Sequence, residues 1–199
     1  MPAGRLAATV EDAVAVAREI GYPVVLKAQA AALAHKTEAG GVVLNLTDEE
    51  ALRAGWRRLT DSVAAAQPGL RLDGILVEAM SPRGLELVVG ARRDPHWGPV
   101  LLVGLGGVVV EALGDVRLLP PDATEAEITE ALGRLRAARL LHGFRGGPPV
   151  DVGAAARAAR AVGQLMLRHP EITEIDVNPL MVHARGEGAV ALDALVVTA

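Results

Sequence analysis

The chain has no cysteine in 199 residues, which excludes disulfides, thiolate metal sites and a cysteine nucleophile. Aromatic residues are only 2% against a hydrophobic content of 51%, so the core has to be packed from Val, Leu, Ile and Ala. Charge of neither sign dominates: 20 Lys and Arg stand against 24 Asp and Glu, a formal net charge of -4. Without a basic excess no nucleic-acid partner is expected. Long apolar runs are missing too. The most apolar one, Val100 to Val110, is broken by Gly104, Gly106 and Gly107, whereas a bilayer span needs about 20 residues. No membrane partner is expected. The N-terminus lacks the basic, apolar and small-residue succession of a signal peptide, and the expected setting is cytoplasmic.

What is present alternates between helix and strand. Residues Met1 to Ala8 show no period. Thr9 caps a helix with acids in its first turn, an apolar stripe of Ala13, Val14, Ala17 and Ile20, and a stop at Gly21. Pro23 to Ala28 reads as a buried strand ending near Lys27. A polar cluster, His35-Lys36-Thr37-Glu38, closes on Gly40-Gly41 before the strand Val42 to Leu46. A second helix over Asp48 to Gln67 has Thr47 and Glu50 at capping-box spacing. This alternation predicts an α/β layer. From Asp73 the pattern changes to a meander of short strands: Asp73–Met80, Leu85–Ala91 as its antiparallel neighbour, Val100–Val103, Val108–Glu111 and Asp115–Leu119. Helices are expected over Thr124–Arg139 and Asp151–Arg168, and a final hairpin pairs Glu174–Ala184 with Ala189–Val197 through a turn at Arg185–Gly188. The change in kind near Ala79 implies two lobes, 1–78 and 79–199.

Several residues are poorly explained by packing. Lys27 closes a Val/Leu run. Either its stem snorkels or its ammonium faces an anion. Asp176 and Asn178 are two apart, so a strand presents both on one face, and a turn centred on Arg185-Gly186 sets Asn178 across from Asp193. An acid, an amide and a second acid are hard oxygen ligands suited to Mg²⁺; a solvated hairpin is the alternative. Pro179 has no N–H and marks an edge or a change of strand partner. Arg92 and Arg93 read equally as phosphate binders or turn charges. Trp56 and Trp97 read as packing residues. The polar loop closed by Gly40-Gly41 can present backbone N–H groups to phosphate, although no Walker lysine pattern accompanies it.

In order, Lys27, HKTEAGG (His35–Gly41), VEAM (Val77–Met80), GLELVVGARRDPHWGPVLLVGLGGVVVEALGD (Gly84–Asp115), HGFRG, EIDVNPL (Glu174–Leu180) and ALDAL resemble the ATP-grasp domain of ADP-forming acyl-CoA synthetases. The succinyl-CoA synthetase β-subunit is a more distant relative of that family. The resemblance runs over nearly the whole chain. It implies an ATP-grasp fold, α/β (α+β), whose two lobes hold nucleotide between them. It also implies ATP or ADP with Mg²⁺ as cofactors. By resemblance Lys27 holds phosphates, Glu78-Ala79-Met80 form the adenine hinge, and Glu86 is an acid near the nucleotide. Gly106 and Gly107 let backbone approach phosphate, and Glu111 faces the reaction centre. Asp176, Asn178 and Asp193 match the Mg²⁺ set. His35 occupies the place of a second phosphate carrier, or of a residue that orients phosphate.

The resemblance has two departures. Ala30-Ala31-Ala32 stands where the family has Ser-Pro-Asp before the His-Lys motif, and the first lobe starts late, as though truncated. The CoA-binding and ligase domain with the main phosphohistidine is not in this sequence. The reading therefore needs that domain or subunit as partner, in a hetero-oligomer. A regulatory or degenerate ATP-grasp module, of the sort fused to acetyltransferases, is the alternative. A ligase that activates a carboxylate directly is disfavoured by HKTEAGG.

Overall fold

A strand that the sequence pattern does not announce precedes the first helix. In the computed structural model, which describes residues 1–30, 32–33, 36–107 and 114–199, Gly4–Ala7 forms β1 at a sheet edge. Only Ala7 of its four residues is buried, so no alternation betrays it. The chain divides into two compact units, Pro2–Met80 and Met1 with Ser81–Ala199.

In the first unit, α1 (Val10–Ile20), β2 (Val24–Gln29), β3 (Val42–Leu46), α2 (Glu49–Ala66) and β4 (Gly74–Ala79) follow β1. The sheet order is β1-β4-β2-β3, and its pairings are antiparallel. Thr9 caps α1 in a reciprocal box with Asp12, each satisfying a backbone donor the helix leaves orphaned. In α2 the cap is Asp48, not Thr47: its Oδ1 accepts from Ala51 N–H at 2.8 Å, while the Thr47 hydroxyl donates to Asp48 at 3.1 Å. Val24, Leu26 and Ala28 of β2 and Ile75 and Val77 of β4 join Val14, Ala17, Leu52 and Leu59 in one core. Alternation sends Val25, Lys27 and Glu78 to the opposite face of that sheet.

The second unit contains β5 (Leu85–Asp94), β6 (Gly98–Leu105), β7 (Val116–Leu119), α3 (Glu125–Gly133), α4 (Val152–Arg168), β8 (Ile172–Val182), β9 (Ala189–Ala191) and β10 (Leu195–Thr198). Its strands run β10-β8-β5-β6-β7, with β9 also on β8. The expected pairing of the Asp73–Met80 strand with the Leu85 strand does not occur. Strand β4 already has β1 and β2 on its two edges, and β5 pairs with β6 and β8 in the other sheet. The helix expected to reach Arg139 ends at Gly133. The buried Asp115 carboxylate accepts from Arg136 N–H and Ala137 N–H, each at 3.0 Å, which takes two donors out of the helical ladder. The chain resumes as a single 3-10 turn at Ala138–Leu140.

Helix α4 lies on this sheet through Ala155, Ala156, Ala159, Val162 and Met166, against Leu87, Val89, Ile175 and Val177. Small alanines let helix and sheet approach closely, which is how a core with few aromatics fills its volume. Arg93 fixes the far end of that helix. Its Nε donates to Ile172 O at 3.1 Å, and Nη2 donates to Met166 O at 2.7 Å and His169 O at 3.2 Å. Arg93 is thus a cap on orphaned helix carbonyls rather than a phosphate ligand. Arg93→Ala is expected to destabilise this unit by about 1.5–3 kcal/mol, the usual worth of bonds to a charged donor. Arg93→Lys should restore only part, because an ammonium lacks the planar fork. Thermal denaturation followed by circular dichroism checks both.

Candidate functional site

Strand β8 positions the C-terminal set. Ile175 and Val177 point into the core, so Asp176 and Asn178 are presented on the opposite face. The hairpin register is continuous across the gap between β9 and β10. Leu180 pairs with Ala191 and Asp176 with Leu195, which sets Asn178 across from Asp193. Pro179 sits where β8 changes partner from β10 to β9, beside an irregularity in its pairing with β5. Leu192 N–H donates to its carbonyl at 3.0 Å. The return strand is split there, and Asp193 lies in the break, its Oδ1 accepting from Ala194 N–H at 3.0 Å.

Burial, helped by the negative charges of Glu174 and Asp193, holds the Asp176 carboxyl above the ordinary carboxylate range. Burial and like charge act together here, and both are relieved by a cation. Among the described residues no three His, Cys, Asp or Glu side chains converge on one point. Asp176, Asn178 and Asp193 comprise two carboxylates and an amide, so an ion held by them would complete its shell from water or ligand oxygens, the usual state of Mg²⁺ at phosphate sites.

The glycine pair after β6 is bound to this set. Gly106 N–H donates to Glu86 O at 2.8 Å, and a Cβ at Gly106 would stand 2.5 Å from the Leu87 carbonyl oxygen. Gly107 has φ +60°, and a Cβ there would overlap the Glu86 carboxylate. Gly107 N–H donates to Asn178 Oδ1 at 3.1 Å. The close approach that requires glycine is thus that of Gly106 to the β5 backbone, and both N–H groups have protein acceptors. A cavity of about 920 Å³, within the range of ligand sites, lies over the same face, lined by Val88, Gly90, Leu102, Val116, Trp97 and Asp176 among others. Asn178, Glu86 and Gly107 do not line it. Trp97 is 85% exposed rather than packed: Asp94 Oδ1 accepts from His96 N–H and Trp97 N–H at 2.8 and 3.0 Å and so shapes the β5–β6 turn that carries the indole.

In the first unit, Lys27 lies within β2, not at its end. Its ammonium is ion-paired with the Glu78 carboxylate, with 8% of the lysine and 2% of the glutamate exposed. Val25 is the partner of Glu78 across the ladder, and Leu76 that of Lys27, so the pair is a diagonal one on one face. Sequence reasoning missed this contact and took Glu78 for its backbone alone. The signal was a lone base and a lone acid, each in a buried run. Ala79 N–H donates to Ala3 O at 2.9 Å and Met80 N–H to Pro23 O at 3.0 Å, so neither donor is open to an adenine ring. His35 and Glu111 lie outside the described residues.

Comparison with known proteins decides the family. A model described as "ATP-grasp domain" matches residues 1–198. The chain is 38% identical over 194 residues to the Acetate--CoA ligase [ADP-forming] I subunit beta of Pyrococcus furiosus, covering 98% of this chain and 83% of that one. This chain belongs to the ATP-grasp family. It is similar along its length to the β-subunits of ADP-forming acetate–CoA ligases. Over 194 residues this ATP-grasp chain is also 48% identical to Trans-feruloyl-CoA synthase FCS1 of an unknown prokaryotic organism, but spans only 27% of that longer protein. Among solved structures it superposes on the dinucleotide forming acetyl-coenzyme A synthetase 1 of Ca. Korarchaeum cryptofilum, in complex with coenzyme A, Ca-AMPCP and HgCl+, with a TM-score of 0.94 and 37% identity. That match covers 100% of this chain and 86% of the other. No described helix is long and apolar enough to cross a membrane.

Proposed function

We propose that this chain is the nucleotide-handling module of an ADP-forming acyl-CoA synthetase. With a CoA-binding partner it would convert acyl-CoA, ADP and phosphate to carboxylic acid, CoA and ATP. The observation that carries the reading is the match to a separate β-subunit of such a ligase, over 98% of this chain and 83% of that subunit. A Korarchaeum relative, 35% identical, was solved with coenzyme A and Mg-AMPPCP, its phosphohistidine segment pointing towards the nucleotide binding site. The phosphoryl group would pass from such a histidine to a β-phosphate oxygen of ADP.

Each residue has a task consistent with its chemistry. Asp176, Asn178 and Asp193 would hold Mg²⁺, which when bound neutralises phosphate charge. Lys27, screened by Glu78, would supply a cation to the polyphosphate. Glu86, which abuts Gly107, and Glu111 would be the acids near the nucleotide, with the glycine turn beside them. His35 would carry or orient phosphate, a role suited to a nucleophilic imidazole. The Glu78-Ala79-Met80 segment, with its two N–H donors taken, would meet adenine through acceptors.

The test is reconstitution. The chain is mixed with the CoA-binding subunit or domain of such a synthetase, acetyl-CoA, phosphate and ADP with Mg²⁺, and ATP is measured. ATP formation that needs both proteins is expected. ADP binding by calorimetry without ATP formation would instead favour a regulatory module, and no nucleotide binding at all would remove the reading.

A further inference from the structure

Asn178 Oδ1 and Gly107 N–H satisfy one another at 3.1 Å, yet each belongs to the set from which a metal–phosphate ligand would be held. We propose that the two form a placeholder pair, split when nucleotide binds: the ion takes Oδ1 and a phosphate oxygen takes the N–H. This rests on the nucleotide reading above. The chemistry is complementary in kind. An amide oxygen is a hard ligand for a divalent cation, and a backbone N–H of a glycine turn is a donor for a phosphoryl oxygen. A magnesium polyphosphate brings one cation and one anion, and so can replace both halves of the bond at once. A metal-free polyphosphate or a bare ion can replace only one half and leaves the other without its partner.

The surroundings hold the pair in register without the ligand. Asn178 is set by β8, whose neighbours Ile175 and Val177 are locked in the core. Gly107 follows Gly106, which is tied by its N–H to Glu86 O at 2.8 Å, and the Glu86 carboxylate fills the space a side chain at Gly107 would need. The φ of +60° at Gly107 favours glycine over other residues. Asn178 is therefore a positioning residue for the turn in addition to its proposed place in the ion's shell. Bond exchange costs less than breaking a bond outright, because no buried donor is left unmade.

The first arm uses no ligand. Amide hydrogen exchange at Gly107 is measured in the chain without Mg²⁺ or nucleotide. Asn178→Ala is expected to speed it roughly tenfold, the worth of one hydrogen bond, with the amides of Ile175 and Val177 unchanged. Asn178→Asp keeps an acceptor and should restore slow exchange. Unchanged exchange at Gly107 in Asn178→Ala overturns the pair, whatever the chain binds; should the alanine variant fold poorly, Asn178→Leu, which keeps the volume and removes the acceptor, is read in its place with the same two outcomes. The second arm titrates the wild-type chain and follows the Gly107 amide resonance. Mg-ADP should move it, and Mg²⁺ alone or ADP in EDTA should move it less. ADP binding seen by calorimetry with a stationary Gly107 resonance overturns the exchange while leaving the nucleotide reading intact. A chain that binds no ADP overturns both the nucleotide reading and the exchange, and leaves the first arm to decide the ligand-free pair.

Discussion

Lys27→Met is expected to cost the first unit about 3–5 kcal/mol, the loss seen when one partner of a buried ion pair is removed. Methionine matches the stem in length and apolar volume, so packing is largely kept. What is left is the Glu78 carboxylate, 2% exposed, without the ammonium that pairs with it. The chain has two tryptophans, Trp56 in α2 of the first unit and Trp97 in the second. In a Trp97→Phe background, urea denaturation followed by fluorescence therefore reports the first unit alone. The double variant Lys27→Met with Glu78→Leu should recover most of the stability, since a buried pair replaced by hydrophobic residues is often neutral or better. The double variant also separates fold from function. If Lys27 serves phosphate, the restored protein binds ADP at least tenfold more weakly than wild type. If it binds ADP normally, the pair is structural and the phosphate role is lost.

The second large effect is at the other end of the chain. Asp193→Ala should weaken nucleotide binding in the presence of Mg²⁺ by at least tenfold and leave metal-free binding nearly unchanged. The magnitude follows from a lower bound: removing residues that only support metal ligands costs about 10–100-fold, so a direct ligand should cost no less. Titration calorimetry with and without Mg²⁺ reads the difference. Equal losses in both conditions would take Asp193 out of the metal set. Stability should not fall with affinity, because the substitution also removes one of the like charges acting on Asp176. A drop in both would mark Asp193 as a structural residue of the β9–β10 break.

Much of the frame is legible from local signals along the chain. Thr9 with Asp12, and Asp151 before an alanine-rich run, mark helix starts because a short side chain must meet an orphan N–H within a turn; both caps are formed. The position of Asn178 across from Asp193 follows from a short turn and a period of two. The errors lie where a residue's partner is distant. Thr47 is the exception, since the competing cap, Asp48, is its neighbour and accepts from Ala51 three residues on. The helix after Thr124 was expected to run past Gly133 to Arg139, and the carboxylate that claims the Arg136 and Ala137 donors comes from Asp115, 21 residues before Arg136. Arg93 was ambiguous for the same reason: its acceptors are carbonyls 73 to 79 residues away.

By itself the sequence determined the helices, most strands, the family resemblance and the oxygen donors near the C-terminus, since each depends on neighbours or on spacing along a single element. Only the tertiary structure decided that Lys27 is paired with Glu78, that β4 and β5 belong to different sheets, and that the glycine turn is held by Asn178 and Glu86. The physical reason is register. Which side chain faces which depends on how two strands align, and a one-residue slip would send Lys27 away from Glu78 to the other face of its sheet. Composition and motif leave that alignment open, whereas a packed core, buried on one side and paired at both edges, permits one answer.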